Sequence, residues 1–381
     1  MARPKRLLPS PDSMIGLILI ITALSGELPS NLVYRLPVSE TYMEKMIKII
    51  KKKKLLRTYY GDGLRGLRLT STAKKRLLES QPDRYTAIFL GETTTNSPKY
   101  TLPKRLRLHR MAEVLVTMYN AGILSLPWEK PDIFRPTPLP TAPYIDQPLY
   151  YSAREFKLIG VQATKIRNSR ATGILLSEGS IYAVYNTASS QMKWENRAEE
   201  RLKTFVQMEL CWKRLSGQFM DASLNAIIFG QGMDQLGDLM GCANRKTGNY
   251  IATNGSFPHF HYLTNDHRGE FLLQLLCDPE LKSELDDILS EGMEERRPGF
   301  PIEHDAIDES GAPVLFGYTC DMPRIRRFDT ALGLHKQNGT LFCFDFQEEM
   351  LRQVCGQRVV FQVIDFEVCK RSVIREPEEM D

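Results

Sequence analysis

Three of the six histidines in this 381-residue chain, His259, His261 and His267, fall within nine residues. If Pro258-His259-Phe260-His261-Tyr262-Leu263 is a strand, positions 259 and 261 face one side, and two imidazoles there would hold one divalent metal. Asp266, His267 or Glu270 would complete the site. Such a metal would polarise a scissile phosphate for attack by a tyrosine, and Tyr262 and Tyr318 both lie in apparent strands. A second grouping, Asp365-Phe366-Glu367-Val368-Cys369-Lys370, ends a late strand, where Asp365 and Glu367 would share a face and hold Mg²⁺. Each has a plainer reading, as partly exposed strand histidines or as a solvated strand end, and patterns this short recur by chance. Gly230, Gly232 and Gly237 lack the Lys-Ser/Thr of a phosphate loop and miss the dinucleotide spacing, so they read as turn chemistry. The basic segments Arg167–Arg170 and Arg324–Arg327 would add phosphate contacts or form surface turns.

The charge distribution is more telling than any of these clusters. The net charge is only +4. Residues 1–110, however, hold 22 Lys and Arg against 8 Asp and Glu, while the remaining 271 hold 28 against 38. A basic front joined to an acidic back points to a polyanion-binding module attached to something else. Most of the negative charge lies in residues 278–309, with 12 acids and 3 bases, and this segment would be able to cover the basic module in cis. Seven scattered cysteines without a Cys-x-x-Cys pair argue against a zinc ribbon or a disulfide framework and suit a reducing, cytoplasmic setting. Met14–Leu24, apolar at nine of eleven positions, follows Arg3, Lys5 and Arg6 as a signal peptide's core would. It is too short to span a bilayer and reads as a buried first helix.

The elements of the basic front follow in order. Glu27–Leu36 reads as a short second helix ended by Pro37. Ser39 caps a third, in which Met43, Met46, Ile47 and Ile50 make a buried face and Tyr42, Lys45, Lys48 and Lys52 the outer one. Leu55–Tyr60 and Leu64–Leu69 read as strands around Gly61-Asp62-Gly63, and Thr70 caps a closing helix through Leu78. Residues 99–120 form another helix, its head crowded by Lys104, Arg105, Arg107, His109 and Arg110. Seven prolines between Pro127 and Pro148 mark a linker. Beyond it, strands at Thr172–Ser177, Ser180–Asn186, Asn225–Phe229, Val314–Thr319, Thr340–Phe346 and Arg358–Ile364 alternate with helices, including Glu195–Leu215, Leu281–Leu289 and Glu348–Val354.

Three helices followed by a basic two-stranded ribbon is the order of a winged helix-turn-helix. The expected architecture is therefore an α+β N-terminal winged helix-turn-helix followed by an α/β domain with a mixed sheet. Its divisions would be residues 1–82, a basic helical extension 83–126, the linker 127–149 and the mixed domain 150–381. The third helix would enter a DNA major groove and the ribbon would reach phosphates, with Tyr42, Lys45, Lys48, Lys52, Arg57, Arg65 and Arg68 as the contacting set. From Leu28 to Leu78, the runs Leu-Pro-Ser-Asn-Leu-Val-Tyr-Arg-Leu, Leu-Leu-Arg-Thr-Tyr-Tyr and Gly-Leu-Arg-Leu-Thr resemble the winged helix of replication-relaxation-type proteins of Gram-positive plasmids and integrative conjugative elements. That resemblance implies a DNA-binding accessory or regulatory protein of a mobile element and does not establish catalysis; the leading expectation is a non-enzymatic double-stranded DNA binder with no cofactor. Its partners would be double-stranded DNA, other proteins of the element and a second copy of itself, with no membrane. The His-Phe-His string is similar to the motif of rolling-circle initiators and conjugative relaxases, which implies the alternative of a metal-dependent nicking enzyme using His259 and His261. In nucleases built on clustered acids, the lysine usually follows the acid by two positions, whereas Lys370 follows Glu367 by three.

Overall fold

The computed structural model describes residues 8–10, 12–90, 101–135, 139–157, 166, 169–189, 194–241 and 257–373. The chain forms two compact units, Met1–Asp132 and Ile133–Asp381, which divide inside the proline-rich stretch.

In the first unit, helix α1 (Met14–Ser25) is closed at its start by Ser13, whose hydroxyl accepts from the Gly16 N–H, and at its end by Gly26 in the left-handed conformation. Leu17 to Ile21 and Ala23 are all buried, as their composition requires. The expected second helix is instead a two-residue strand, β1 (Leu28–Pro29), and one 3₁₀ turn, Leu32–Arg35. Pro29 supplies no N–H, and Pro37 pushes the preceding residue towards extended backbone, so a full helix has no room between them. Ser39 caps helix α2 (Glu40–Lys52) through the Tyr42 N–H, and Met43 and Ile50 are fully buried.

Strands β2 (Leu56–Gly61) and β3 (Leu64–Leu69) form a hairpin, with Asp62 and Gly63 both at positive φ, the backbone of a tight two-residue turn. β1 joins on the other side of β3, giving an antiparallel sheet in the order β1-β3-β2. Thr70 caps α3 (Ser71–Ser80), followed by α4 (Pro82–Leu90) and α5 (Leu102–Asn120).

The second unit holds two mixed five-stranded sheets. The first runs β4-β5-β6-β7-β8: β4 (Leu149–Ser152), β5 (Gly173–Ser177) and β6 (Ser180–Ala188) are antiparallel, while β7 (Leu224–Gly230) and β8 (Phe260–Thr264) continue parallel to β6. In the second sheet, β11 (Pro313–Phe316), β12 (Gly339–Phe344) and β13 (Val359–Ile364) are parallel, and β10 (Ala306–Ile307) and β9 (Glu294–Glu295) extend it antiparallel. Beside β8, an isolated bridge joins His261 to Asp321, and the Tyr262 N–H donates to the Cys320 carbonyl. The mixed α+β class is therefore as expected, with two sheets in the second unit rather than one. The Glu195–Leu215 helix is α-helical only over Asn196–Phe205 and widens to a π-helix over Val206–Cys211. Among the described residues no helix is long and apolar enough to cross a membrane.

Candidate functional site

Parity along the hairpin decides which cations share a face. Side chains alternate along a strand, and Gly61 pairs with Leu64, so Arg57, Tyr59, Gly66 and Arg68 lie on one face. Tyr60 and Arg65 stand opposite each other on the other face, together with Leu56, Leu67 and Leu69. Arg65 thus comes alongside the end of α2. An open cleft of about 400 Å³ is lined by Ile47 and Lys51 of α2, by Gly63, Leu64, Arg65 and Leu67 of the hairpin, and by Ser30, Asn31 and Tyr34 before α2. Partial burial, reinforced by the nearby Arg65 charge, holds the Lys51 pKa below its ordinary value. Neither cation has an ion-pair partner among the described residues. Tyr42, Lys45, Lys48 and Lys52 are exposed, and Lys48 pairs with Glu44 at 3.4 Å on the surface. Tyr60, 73% exposed, extends the same side of the hairpin.

Two of the three expected arginines do not face this cleft. Arg57 is exposed on the reverse face of the hairpin. Arg68 is buried, donating from Nε at 2.8 Å and Nη2 at 2.6 Å to Glu27 Oε2, and its guanidinium lies 3.8 Å from the Tyr59 ring centroid. Arg105 and His109, expected on a basic helix head, turn inward to the same carboxylate, at 2.6 Å from Arg105 Nη2 and 2.9 Å from His109 Nε2. Arg105 also donates to the carbonyls of Gly61 and Leu64, which bracket the hairpin turn. Burial acts to raise the Glu27 pKa, but the hydrogen bonds with His109, Arg105 and Arg68 outweigh it and bring it down to about 2. Glu27 was not among the expected site residues. Between Asp12 and Glu40 the only other charged residue is Arg35, so no local pattern marks it.

In the second unit, His259 and His261 do share a side, with ring centroids 6.2 Å apart. Their nearest acid is Asp321, 60 residues away from His261 in the chain and 2.6 Å from His259 Nδ1. The expected completing residues lie elsewhere: Asp266 caps the helix His267–Cys277, and His267 approaches Glu367 at 3.6 Å. Burial lowers the His261 pKa, with the Asp321 charge opposing. Burial of Asp321 is outweighed by its hydrogen bond with His259 and the histidine charges, so its pKa lies below the ordinary carboxylate value. Among the described residues no group of three or more His, Cys, Asp or Glu is arranged so that it could hold a metal ion. Neither expected tyrosine is free to attack, since the Tyr262 hydroxyl donates to the Gly232 carbonyl and that of Tyr318 to Asp286 Oδ1 at 2.5 Å.

Asp365 does not end a metal-binding strand. It accepts from the Val368 N–H at the start of the helix Phe366–Val373, which carries Glu367. Arg324 and Arg327 are occupied by Glu303, and Arg324 also by Asp305, so part of the acidic segment is used within its own unit. Of the other basic segment, Arg167 and Asn168 lie outside the described residues, and Arg170 donates its N–H to Glu199. Comparison with family models, curated proteins and solved structures found no match to the chain.

Proposed function

We propose that the chain is a double-stranded DNA-binding protein, with residues 14–80 acting as a winged helix. The element order α1-β1-turn-α2-β2-β3 and the sheet order β1-β3-β2 support that reading. In it, α2 enters the major groove with Tyr42, Lys45, Lys48 and Lys52, while Arg65 and Tyr60 of the hairpin meet the flanking backbone. The observation that carries it is the cleft where Lys51 and Arg65, from two different elements, approach each other without a carboxylate between them. Two like charges held together in this way favour a bound polyanion, whose phosphates neutralise both. The resemblance to replication-relaxation-type proteins supports a role for such binding in the replication, mobilisation or transcription control of a mobile element, in the cytoplasm. Other proteins of that element and a second copy of the chain are its proposed partners.

A mobility-shift titration tests the reading. Lys51→Glu with Arg65→Glu, or Lys45→Glu with Lys48→Glu, abolishes binding to duplex DNA, whereas unchanged affinity in both double variants rejects it. The metal-dependent nicking enzyme is the weaker alternative, because β4 to β8 carry no Asp, Glu or Lys and the candidate tyrosines are engaged.

A further inference from the structure

The edge strands of the second unit's two sheets are finished differently. β4 is buried over Leu149–Tyr151, and β8 is closed by the bridge to Asp321 and by the Tyr262 N–H on the Cys320 carbonyl. β9 is two exposed glutamates. β13 ends its sheet with six residues, Val-Val-Phe-Gln-Val-Ile, and carries neither a proline nor a charge to keep another strand away. Its Val360 is 55% exposed and its Val363 37%. The parallel ladder with β12 fixes where its backbone points. Gly339 pairs with Val359, and the Gly339 N–H donates to the Arg358 carbonyl at 3.1 Å. Alternate residues of such a strand turn both polar groups to the same side, so those of Val360 and Gln362 face β12 and those of Val359, Phe361 and Val363 face outward. The Val359 N–H is taken by the Gly356 carbonyl at 3.2 Å. The Val359 carbonyl and both groups of Phe361 and Val363 have no hydrogen-bond partner among the described residues.

We propose that β13 pairs antiparallel with β13 of a second copy of the chain, joining the two sheets into one. A two-fold axis through Phe361 is the register that uses these groups. Phe361 then exchanges both of its bonds with the partner's Phe361, and each Val363 N–H meets the partner's Val359 carbonyl. The same register sets Val363 opposite the partner's Val359 and brings the two Phe361 rings together, an apolar and aromatic set of cross-strand pairs. Charge selects the direction. Arg358 precedes the strand and Asp365 follows it, so antiparallel copies bring unlike ends together, whereas parallel copies would bring like ends together. The pairing gives a surface to the second copy proposed as a partner; it rests on that part of the reading alone and needs no DNA.

Sedimentation equilibrium of the full chain without DNA tests the pairing, and the unaltered chain sediments with the mass of two copies. Val363→Pro deletes an N–H that no described neighbour accepts, and a proline is tolerated at such an outward edge position. It removes both Val363 bonds across the axis and weakens self-association by roughly 10- to 100-fold. Val360→Lys places a charge on the bare edge and shifts the equilibrium to single chains as well. Melting curves check that each variant is folded, and if one is not, the other decides. The proposal is overturned if the unaltered chain sediments as a single copy, or if the folded variants stay as dimeric as the unaltered chain. A mobility-shift titration of the same samples separates the two readings. A dimeric chain that shifts no duplex keeps this proposal and rejects DNA binding, and a single chain that shifts duplex does the reverse.

Discussion

Glu27 is a fully buried carboxylate whose charge is matched by Arg68 and Arg105 and by a hydrogen bond with His109. Replacing one member of such a group leaves the others charged and unmatched in the interior. Glu27→Gln is therefore expected to destabilise the first unit by about 3–5 kcal/mol, read from its urea transition. The acid side of the stability profile follows from the same residue. Its folded pKa of about 2 lies below the ordinary 4.5, so its contribution is complete above about pH 4.5 and is lost as pH falls towards 2. Circular dichroism against pH should show the first unit loosening in that window, and Glu27→Gln should lack this acid-sensitive part. Gly66 belongs to the same site, because a Cβ there would lie 2.2 Å from Glu27 Oε1. Gly66→Ala is expected to cost about 1–3 kcal/mol in the same denaturation experiment.

At the level of elements, Arg105 connects α5 to the tip of the hairpin through the Gly61 and Leu64 carbonyls. Itself 0% exposed, it acts as a positioning residue and not as one of the contacting cations. Arg105→Lys keeps a charge for Glu27 but cannot reproduce the forked geometry. Hydrogen exchange at residues 61–64 should quicken, and DNA affinity should fall with the contacting cations intact; unchanged exchange and affinity would remove this role from Arg105. Much of this region was legible in the chain: the Ser39 and Thr70 caps, the Asp62-Gly63 turn and the Met43/Ile50 stripe all appear as read. The faces of the hairpin were equally open to reading, since a two-residue turn pairing 61 with 64 puts 57 with 68 and 60 with 65. The separation of Arg65 from Arg57 and Arg68 follows from that parity. What no local pattern carries is the distant partner. The links of Glu27 to Arg105, and of Asp321 to His259, span 78 and 62 positions and depend on how the elements pack.

For the whole molecule, the division at Asp132 and Ile133 predicts that residues 1–132 fold and bind DNA by themselves, whereas residues 133–381 do not. With roughly five phosphates engaged, log K should fall against log salt with a slope of about −4 to −5 for B-DNA. A flat salt dependence would refute a phosphate-led interface. The partners of Glu27 come from the hairpin and from α5, far along the chain. A fragment ending at residue 82 would keep every segment assigned to groove recognition, yet it would enclose an anion with only Arg68 left to answer it. The smallest autonomous binder therefore extends through the fifth helix, and any shuffling of this module between proteins must carry that helix along.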